Sequence, residues 1–313
     1  MKYVIKKLLS CAITLLIVAL LVFVAFSIIP GDPALSRLGT SATESSLAAL
    51  REQMGLNRPL PVRFVEWLLA ALKGDFGTSY SYNIPVSSMI MSKIPITVTM
   101  MIMSLFFMLI ISIPLGVYAS YKEGTWIDRV IQIINQVIMA VPPFFSGILI
   151  TLIFGVTFRF FRVGGFVAPG VDMGRFLSYM IFPSLSIALP KSAMILNLLY
   201  GSLNSEKTKD YIRTAYSRGN SSKAVFFGHM LKNAAMPVIT FLGMVIADMI
   251  AGSIIIEQVF GIPGLGRILL TSIQNRDYPV VEAIIVMIAA VVLVSNLLVD
   301  FLYRLVDPRV EKK

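Results

Sequence analysis

Charged residues, cysteine and histidine are all scarce in this chain of 313 residues. Asp, Glu, Lys and Arg make up 14% of the chain, whereas a soluble domain carries roughly 25%. The single cysteine, Cys11, lies in an apolar run, so no internal disulfide can form. The chain has one histidine, His229, and a Ser-His-Asp triad or a histidine-based metal site would need more than this residue. We therefore expect no catalytic residues, no bound metal and no enzyme activity in the chain itself.

Nucleotide-binding and nucleic-acid-binding motifs are also missing. The chain has no G-x-x-x-x-G-K-[ST], so we expect no ATP site and no cofactor of its own. The run GIPGLG at 261–266 is only loosely similar to a dinucleotide-binding motif. Because it follows an apolar run and contains a proline, we interpret it as a tight turn at the outer membrane face. The formal net charge is +10, but Lys and Arg stand at the ends of apolar runs rather than among aromatic residues, which excludes nucleic acid as a partner.

Long apolar runs dominate the sequence instead, with 57% hydrophobic residues and a mean hydropathy of +0.81. Six runs reach the roughly 20 residues that cross a bilayer. They are Leu8–Ile29, Pro95–Tyr118, Val130–Gly155, Tyr179–Tyr200, Met236–Glu257 and Val281–Tyr303. The first run is too long for a signal peptide and is predicted to stay as an uncleaved helix. The sequence thus predicts an all-α polytopic membrane protein with six transmembrane helices.

The Lys and Arg pattern sets the expected topology. Basic residues are in excess before the first run, between runs two and three, between runs four and five, and after run six. Such an excess marks the cytoplasmic side, so both termini are predicted to be cytoplasmic. The predicted organisation is an N-terminal tail and first span at 1–30, an extracytoplasmic helical cap at 31–94, a five-helix core at 95–303 and a cytoplasmic tail at 304–313. Within the third run, Pro142 and Pro143 should kink the helix.

Two helices are predicted in the cap. Ser41-x-x-Glu44 has the form of a capping box, and Gly55 can end the helix that follows. Pro61 can open the second helix, and Gly74 can stop it. Apolar stripes run along both helices, at Leu47, Leu50 and Met54 and at Phe64, Val65, Leu68, Leu69 and Leu72. The cap is either a passive plug or a docking surface, and the sequence leaves both open.

The cytoplasmic loop at 201–235 is polar and basic, and we expect it to be helical. Ala215 and Gly219 stand four residues apart, so on a helix they would form a small face on which another surface could pack closely. Docking on a cytoplasmic partner is one interpretation, and a loop that only sets topology is the other. The basic residues are Lys207, Lys209, Arg213, Arg218, Lys223 and Lys232.

A few polar residues lie within the apolar runs. Asp248 is near the middle of the fifth run, and Lys191 and Asn197 lie on the fourth. Ionisable groups at membrane depth are costly and usually face the helix bundle or a wet cavity. Asp248 and Asn197 are therefore candidates to line a substrate path. For Asp248, a structural pairing, for instance with Lys191, is the alternative.

At this point the residues resemble a known family. T-A-Y-S-R-G at Thr214–Gly219 resembles the EAA loop of ABC importer permeases, the segment that forms their coupling helix. Ala215 and Gly219 match its alanine and glycine, whereas Arg213 and Thr214 replace the usual glutamate and first alanine. Lys232 stands where many members have proline. Further segments resemble the peptide/nickel branch of the family over nearly the whole chain: G-D-P at 31–33, G-D-F-G-T-S at 74–79, E-Q-V-F-G-I-P-G-L-G-R at 257–267, N-R-D-Y-P-V-V at 275–281 and the tail at 296–309.

The resemblance implies a permease core at 95–303 and a set of partners in a bacterial inner membrane. A second homologous permease subunit would complete the pore, and two ATPase subunits would bind ATP and Mg. An external substrate-binding protein or lipoprotein would deliver the substrate. The substrate would be short peptides or, alternatively, nickel or a metal chelate, and Asp248 slightly favours a cation. The ATPase-coupling residues would be Arg213, Thr214, Ala215, Gly219 and Leu231.

A secondary transporter is the alternative from a different class. Such transporters often show inverted repeats, and we find none in this sequence.

Overall fold

The computed structural model describes residues 2–28, 33–38 and 43–306. Within this part of the chain the only β pairing is a single bridge between Thr78 and Pro85, which confirms the all-α class. The helices are α1 (Lys2–Ile28), α2 (Pro33–Leu38), α3 (Glu44–Gln53), α4 (Leu60–Ala71), α5 (Val86–Met91), α6 (Ile94–Tyr121), α7 (Trp126–Ala140), α8 (Pro143–Ile150), α9 (Met173–Lys207), α10 (Asp210–Ser217), α11 (Ser222–Val225), α12 (Leu231–Phe260), α13 (Leu265–Gln274) and α14 (Tyr278–Val306). Two π-helical turns, Thr151–Thr157 and Phe226–Met230, follow α8 and α11.

The candidate membrane spans coincide with the six predicted runs. Five helical stretches are long and apolar enough to cross a bilayer, and a bent pair of helices gives the sixth. The five stretches are Ile5–Ile28, Val86–Tyr121, Met173–Lys207, Ser222–Phe260 and Tyr278–Phe301. The bent pair is Trp126–Ala140 with Pro143–Thr157. The fold is therefore that of a multi-pass membrane protein.

The third predicted span is broken rather than kinked. α7 ends at Ala140, Val141 has an extended backbone, and α8 begins at Pro143. The two halves meet at an angle of 104°. Proline lacks an N–H, and the residue before a proline is disfavoured in the helical region, so a helix cannot continue through Val141 and Pro142.

α9 is the centre of a compact unit formed by residues 98–262 and by the chain from Ser295 onward. α7, α8 and α12 all pack against α9. The Tyr179 hydroxyl of α9 donates to the Phe260 carbonyl of α12 at 2.6 Å. Towards α8, the Ser146 hydroxyl donates to the Ser186 carbonyl at 2.5 Å. These bonds satisfy polar groups that would be costly if left unpaired away from water.

Small residues let the helices of this unit approach closely. A Cβ atom placed on Gly116 of α6 would lie 3.2 Å from the Leu199 side chain of α9, so the position favours glycine. Membrane helices are expected to pack through such small residues because lipid offers no hydrophobic driving force between them. The small residues of α9 that are buried are Ser184, Ser186, Ala188, Ser192 and Ala193.

A second compact unit consists of the chain up to Thr97 together with residues 263–294. Aromatic contacts join two of its helices. Phe23 on α1 packs on Phe64 and Trp67 of α4, with ring centroids 5.4 Å and 6.2 Å apart. Nearby, Phe26 of α1 lies 5.6 Å from Tyr278 at the start of α14.

Asp277 is the central polar group of this second unit. It is fully buried and accepts hydrogen bonds from the Ser79 hydroxyl at 2.5 Å and from the backbone N–H groups of Tyr80 and Ser81 at 2.8 Å and 3.2 Å. Asp277 belongs to N-R-D-Y-P and Ser79 to G-D-F-G-T-S, and 198 residues separate them along the chain. Two segments of the family resemblance thus meet in one place.

The cap contains the two predicted helices, but the predicted capping box is wrong. α3 begins at Glu44, and Thr43 is its N-cap, in a reciprocal box with Ser46. Ser41 itself lies outside the described residues. The Thr43 hydroxyl accepts from the Ser46 N–H at 3.3 Å and the Ser46 hydroxyl accepts from the Thr43 N–H at 3.0 Å, so Glu44 takes the first helical position and not the third.

The other helix signals in the cap are confirmed. Gly55 follows α3 with a φ of +66°, and Pro61 lies in the first turn of α4. Gly74 follows α4 with a φ of +82°. The apolar stripe of α4 is only partly covered. Phe64 and Leu68 are half-buried, whereas an outer row stays exposed at Val62, Val65, Leu69 and Leu72.

The run GIPGLG forms the predicted tight turn. α12 ends at Phe260, the following Gly261 has a φ of +67°, and Gly264 is the N-cap of α13. The side of the membrane on which this turn lies stays a prediction. Gly31 and Asp32 of the G-D-P segment, and the tail from Asp307 onward, lie outside the described residues.

Candidate functional site

α10 is a short amphipathic helix at the end of the long helix α9. Its inner side is formed by Ile212 and Ala215, which are both buried. Arg213, Thr214 and Tyr216 are exposed on the outer side. The sequence therefore presents one polar and basic face to the surroundings and anchors the other in the protein.

The structure contradicts the predicted small face of Ala215 and Gly219. Ala215 points inward and is only 8% exposed, and its carbonyl accepts a hydrogen bond from the Asn220 side chain at 3.1 Å. Gly219 lies after the end of α10, with a φ of +80° that side chains rarely adopt. The two residues stand one turn apart only if the helix continues, and it ends at Ser217. Leu231 begins α12 and is half-buried.

A polar network fastens α10 to the two long helices beside it. The Tyr211 hydroxyl donates to the Glu206 carboxylate of α9 and accepts from the Asn233 amide of α12 at 2.9 Å. Lys209 adds an ion pair to Glu206 at 2.9 Å. Burial, and then the hydrogen bond to Glu206, raise the pKa of the Tyr211 hydroxyl above its usual 10.0, so the hydroxyl stays a donor at neutral pH. A displacement of α10 would therefore be transmitted to both α9 and α12.

The end of α9 is also held by the last turn of α6 and by the residues that follow it. The Lys207 ammonium donates to the Ser120 carbonyl at 2.7 Å, to the Asn204 side chain at 2.9 Å and to the Glu123 carboxylate at 2.5 Å. The Ser120 hydroxyl donates to Asn204 at 2.7 Å. α6, α9 and α10 are thereby connected at one end of the unit.

Asp248 of α12 forms an ion pair with Lys191 of α9. Of the two interpretations open at the sequence level, the structural pairing is thus present. The two partners differ in environment, because the Lys191 side chain is 9% exposed and the Asp248 side chain 61% exposed. The carboxylate therefore both neutralises a buried lysine and faces outward from this chain.

Asn197 lies elsewhere, in a cleft between α9 and α12. A cavity of about 480 Å³ there is lined by polar and small side chains and by Pro237. Asp248 and Lys191 do not line it. Apart from Asn197, its polar and small lining residues are Gly201, Ser202, Ser205, Glu206, Lys209 and Asn233.

Several residues of these sites were missed at the sequence level. Glu206, Tyr211 and Asn233 had no local signal, because each is an ordinary polar residue until the three helices meet. Asp277 followed a predicted turn and gave no sign of burial. Glu282 did carry a signal that could have been used, since it is an ionisable residue at the start of an apolar run.

Comparison with known proteins places this architecture in a family. Residues 112–312 match the model described as "Binding-protein-dependent transport system inner membrane component". Residues 1–101 match the corresponding N-terminal model, "Binding-prot-dependent transport system membrane comp, N-term". The two matches together extend over nearly the whole chain.

Individual relatives align end to end. The chain is 33% identical over 308 residues to the "Probable peptide ABC transporter permease protein y4tP" of Sinorhizobium fredii, with 98% of each chain covered. It is 35% identical over 312 residues to the "Oligopeptide transport system permease protein AppB" of Bacillus subtilis, with 99% of each covered. It is also 35% identical over 313 residues to the "Glutathione transport system permease protein GsiC" of Salmonella choleraesuis, with both chains covered completely. Both family models match the chain, relatives at this level of identity align over nearly its full length, and its helices include the candidate membrane spans. The chain therefore belongs to the binding-protein-dependent ABC transporter permeases of the bacterial inner membrane.

Proposed function

We propose that this permease forms half of a translocation path for short peptides. A second homologous permease completes the path, two ATPase subunits bind ATP and Mg on the cytoplasmic side, and an external binding protein or lipoprotein delivers the substrate. The peptide substrate is supported by the relatives described above, which are named for peptides, oligopeptides and glutathione. Nickel or a metal chelate is the alternative that the test below separates. The family match favours this function over a secondary transporter.

The attachment of α10 is the observation that carries the coupling role. An energy-coupling element must contact a partner on one side and move the spans on the other. The outer side of α10 exposes Arg213 and Thr214, and its inner side is joined to α9 and α12 through Tyr211. We assign the contact with the ATPase to this outer side and to the turn at Gly219. Ala215 and Leu231 support the segment from within.

The path residues are assigned to the outward surface of α9 and α12. Asp248 faces away from the unit while pairing with Lys191, and Asn197 lines the cleft near α10. On this proposal, a peptide passes the two exposed side chains one after the other, Asp248 on α12 and Asn197 on α9. Because Lys191 neutralises Asp248, the pair presents a dipole and not a lone negative charge.

The substrate is tested by uptake in a strain that lacks this chain. Complementation with the intact chain should restore uptake of a labelled tripeptide and leave uptake of radioactive nickel unchanged. Recovery of nickel uptake alone would replace the peptide assignment by the metal alternative. Copurification of ATPase subunits with the chain checks the partner assignment separately.

The coupling role is tested by reversing charge on the proposed contact face. We expect Arg213→Glu to abolish peptide uptake while the protein keeps its membrane abundance, because the exposed Arg213 side chain forms no hydrogen bond or ion pair with any described residue. Arg129→Glu is the matched control, since Arg129 is also exposed and lies between runs two and three, in a segment predicted to be cytoplasmic. Equal loss of uptake in both variants would contradict a specific role for α10.

The orientation is tested by placing single cysteines. Replacing Cys11 by Ser leaves a chain without cysteine, into which Ser45→Cys on α3 or Ser217→Cys on α10 can be introduced. Both serines are exposed. A membrane-impermeant maleimide should label position 45 in intact cells and position 217 only after permeabilisation. The reverse pattern would invert the proposed topology.

A further inference from the structure

A second cavity lies in the unit that contains α1, α4 and the first part of α14. Its volume is about 540 Å³. The last turns of α1 supply Phe23 and Phe26 to its wall, and α4 supplies Arg63 and Trp67. The first turns of α14 supply Tyr278 and Glu282. Because a span ends and another begins here, the cavity lies at the level of a membrane–water interface.

Three polar groups in the cavity wall have no hydrogen-bond partner among the described residues. The Trp67 indole N–H and the Tyr278 hydroxyl are buried and unsatisfied. The Glu282 side chain lines the cavity, is only 7% exposed, and forms no hydrogen bond or ion pair within the part of the chain described. Unpaired buried polar groups are costly and rare in native proteins. Three of them around one cavity would be satisfied by a ligand of matching chemistry or by water that enters it.

The charges of the cavity are complementary to a zwitterion. Glu282 offers a carboxyl group that a bound cation would hold in its ionised form, whereas Arg63 offers a guanidinium that is held 5.8 Å above the Phe23 ring. Glu66 also lines the cavity, but its carboxylate is paired with Arg58 at 2.8 Å. Asp75 lines the cavity too, but it is exposed and accepts the Gly77 N–H at 2.9 Å. Glu282 is thus the buried carboxyl group of this cavity that has no partner among the described residues.

We propose that this cavity binds a primary ammonium group joined by a short linker to an anion. The ammonium donates hydrogen bonds to Glu282 and lies against the aromatic wall, where Trp67 adds a cation–π attraction. The anion accepts from Arg63, from the Trp67 N–H and from the Tyr278 hydroxyl, and bonds of this charge-assisted kind are the stronger class. The headgroup of phosphatidylethanolamine has this chemistry, and so does a short peptide with a free amino terminus.

The surroundings favour the lipid as the source. Next to the cavity, α4 exposes the apolar row that contains Val65 and Leu69, and α1 exposes Leu21 and Ile28. Such surfaces suit acyl chains, and tryptophan and tyrosine concentrate at the headgroup level of membranes. On this basis the cavity holds the headgroup while the acyl chains lie along α1 and α4. The inference does not depend on the coupling role of α10 or on the transported substrate.

Binding can be measured by isothermal titration calorimetry on the full chain, purified in detergent with the subunits that copurify. The probes are dihexanoylphosphatidylethanolamine and the dipeptide Ala-Ala. Each probe has a matched analogue that lacks the primary ammonium. In dihexanoylphosphatidylcholine the nitrogen is quaternary and cannot donate a hydrogen bond. In N-acetyl-Ala-Ala the terminal nitrogen is an amide and carries no charge. We expect the phosphatidylethanolamine to bind about tenfold or more tightly than the phosphatidylcholine, since a hydrogen bond to a charged group contributes about one to two factors of ten.

Glu282→Gln removes the charge and keeps the size, and should weaken binding of the ammonium probe by about tenfold or more. The matched control is Glu66→Gln, which removes a carboxylate from the same cavity that is already paired with Arg58. It should leave the affinity unchanged. Should Glu282→Gln fail to fold, Tyr278→Phe, which removes only the unpaired hydroxyl, provides the same comparison.

Each result bears on the proposal. Binding of the phosphatidylethanolamine alone supports the lipid source, and binding of Ala-Ala alone supports the peptide source. Binding of neither probe overturns the proposal. Equal binding of each probe and its analogue, or equal weakening by Glu282→Gln and Glu66→Gln, also overturns it. Because the readout is binding and not uptake, failure here leaves the proposed transport function untouched.

Discussion

The span in α9 and the spans in α1 and α14 are all long enough to cross a membrane, but they have opposite surroundings. In its most apolar 18-residue window, the α9 span is 72% buried within the chain, whereas the α1 and α14 spans are each 11% buried. The α9 span has the lowest mean hydropathy of the three, and the α1 span the highest. In a membrane the most apolar helix is therefore not the core helix, since lipid accepts apolar side chains as readily as protein does.

The reason lies in what α9 buries. Two of its buried serines bond to carbonyls within the same helix, Ser186 to Phe182 and Ser192 to Leu189. Serines satisfied in this way behave as small side chains and allow close contact between helices. α1 instead exposes large aliphatic residues such as Leu9 and Leu21. The predictions below test this contrast between a packed centre and a lipid-facing periphery.

The largest expected effect comes from truncating a leucine in the centre. Leu203 of α9 is fully buried, whereas Leu21 of α1 is 63% exposed. Leu203→Ala should lower the free energy of unfolding by about 3 kcal/mol, because it leaves a cavity. Leu21→Ala should change it by less than about 0.5 kcal/mol. Thermal unfolding of the purified variants in the same detergent measures both. Similar losses for the two substitutions would remove the contrast.

The second largest effect is expected at Asp277, the buried carboxylate of the other unit. Hydrogen bonds, and not helix packing, hold this side chain in place. Asp277→Asn keeps the shape but removes the charge and one acceptor from a group that accepts three hydrogen bonds. We expect a loss of about 2 kcal/mol in stability. Asp75→Asn is the matched control, because Asp75 is exposed and accepts one bond, from the Gly77 N–H at 2.9 Å. Protease cleavage within the loop at 76–85 should become faster in Asp277→Asn than in the wild type. Equal cleavage of the two proteins would show that this carboxylate does not hold the loop.

A smaller and asymmetric effect is expected at the ion pair in the centre. Asp248→Asn leaves the buried Lys191 ammonium without its counter-charge and should cost about 1.5 kcal/mol, less than in a fully buried pair because Asp248 is largely exposed. Lys191→Met should cost less, and combining it with Asp248→Asn should restore most of the stability. Membrane abundance and thermal unfolding of the two single variants and the double variant form the test. Additive losses in the double variant would show that the two side chains act independently.

The smallest effect on stability is expected at Tyr211. Tyr211→Phe removes the hydroxyl that joins Glu206 to Asn233 and should cost about 1 kcal/mol. The pKa of Tyr211 is raised in the folded protein. The stabilisation that its hydroxyl provides is therefore complete below the usual tyrosine pKa of 10.0 and is lost only as the pH rises through the raised pKa. Wild type and variant should therefore differ by a constant amount between pH 6 and pH 9. Uptake should fall more than abundance if the network transmits motion, and unchanged uptake would count against that role.

Much of the fold could be predicted from the sequence because its signals are local. A run of apolar residues is long enough to cross a bilayer whatever surrounds it, and Gly55, Pro61 and the Gly261 turn act through their own backbone preferences. The Pro142-Pro143 pair was recognised as a disruption, although the sequence could not distinguish a kink from a 104° break. The angle depends on how α8 packs on α9 and α12, which lie later in the chain.

The sequence by itself determined the class of protein, the number and place of the spans, and, through its motifs, the family. Only the tertiary structure decided that Ala215 points inward, that Lys191 meets Asp248 and that Glu282 faces a cavity beside Arg63. Run length and helix signals depend on neighbouring residues, whereas these contacts join residues that are far apart along the chain. Which partner a polar side chain finds depends on the faces that the helices turn towards one another, and that is settled by packing of the whole unit and not by any single segment.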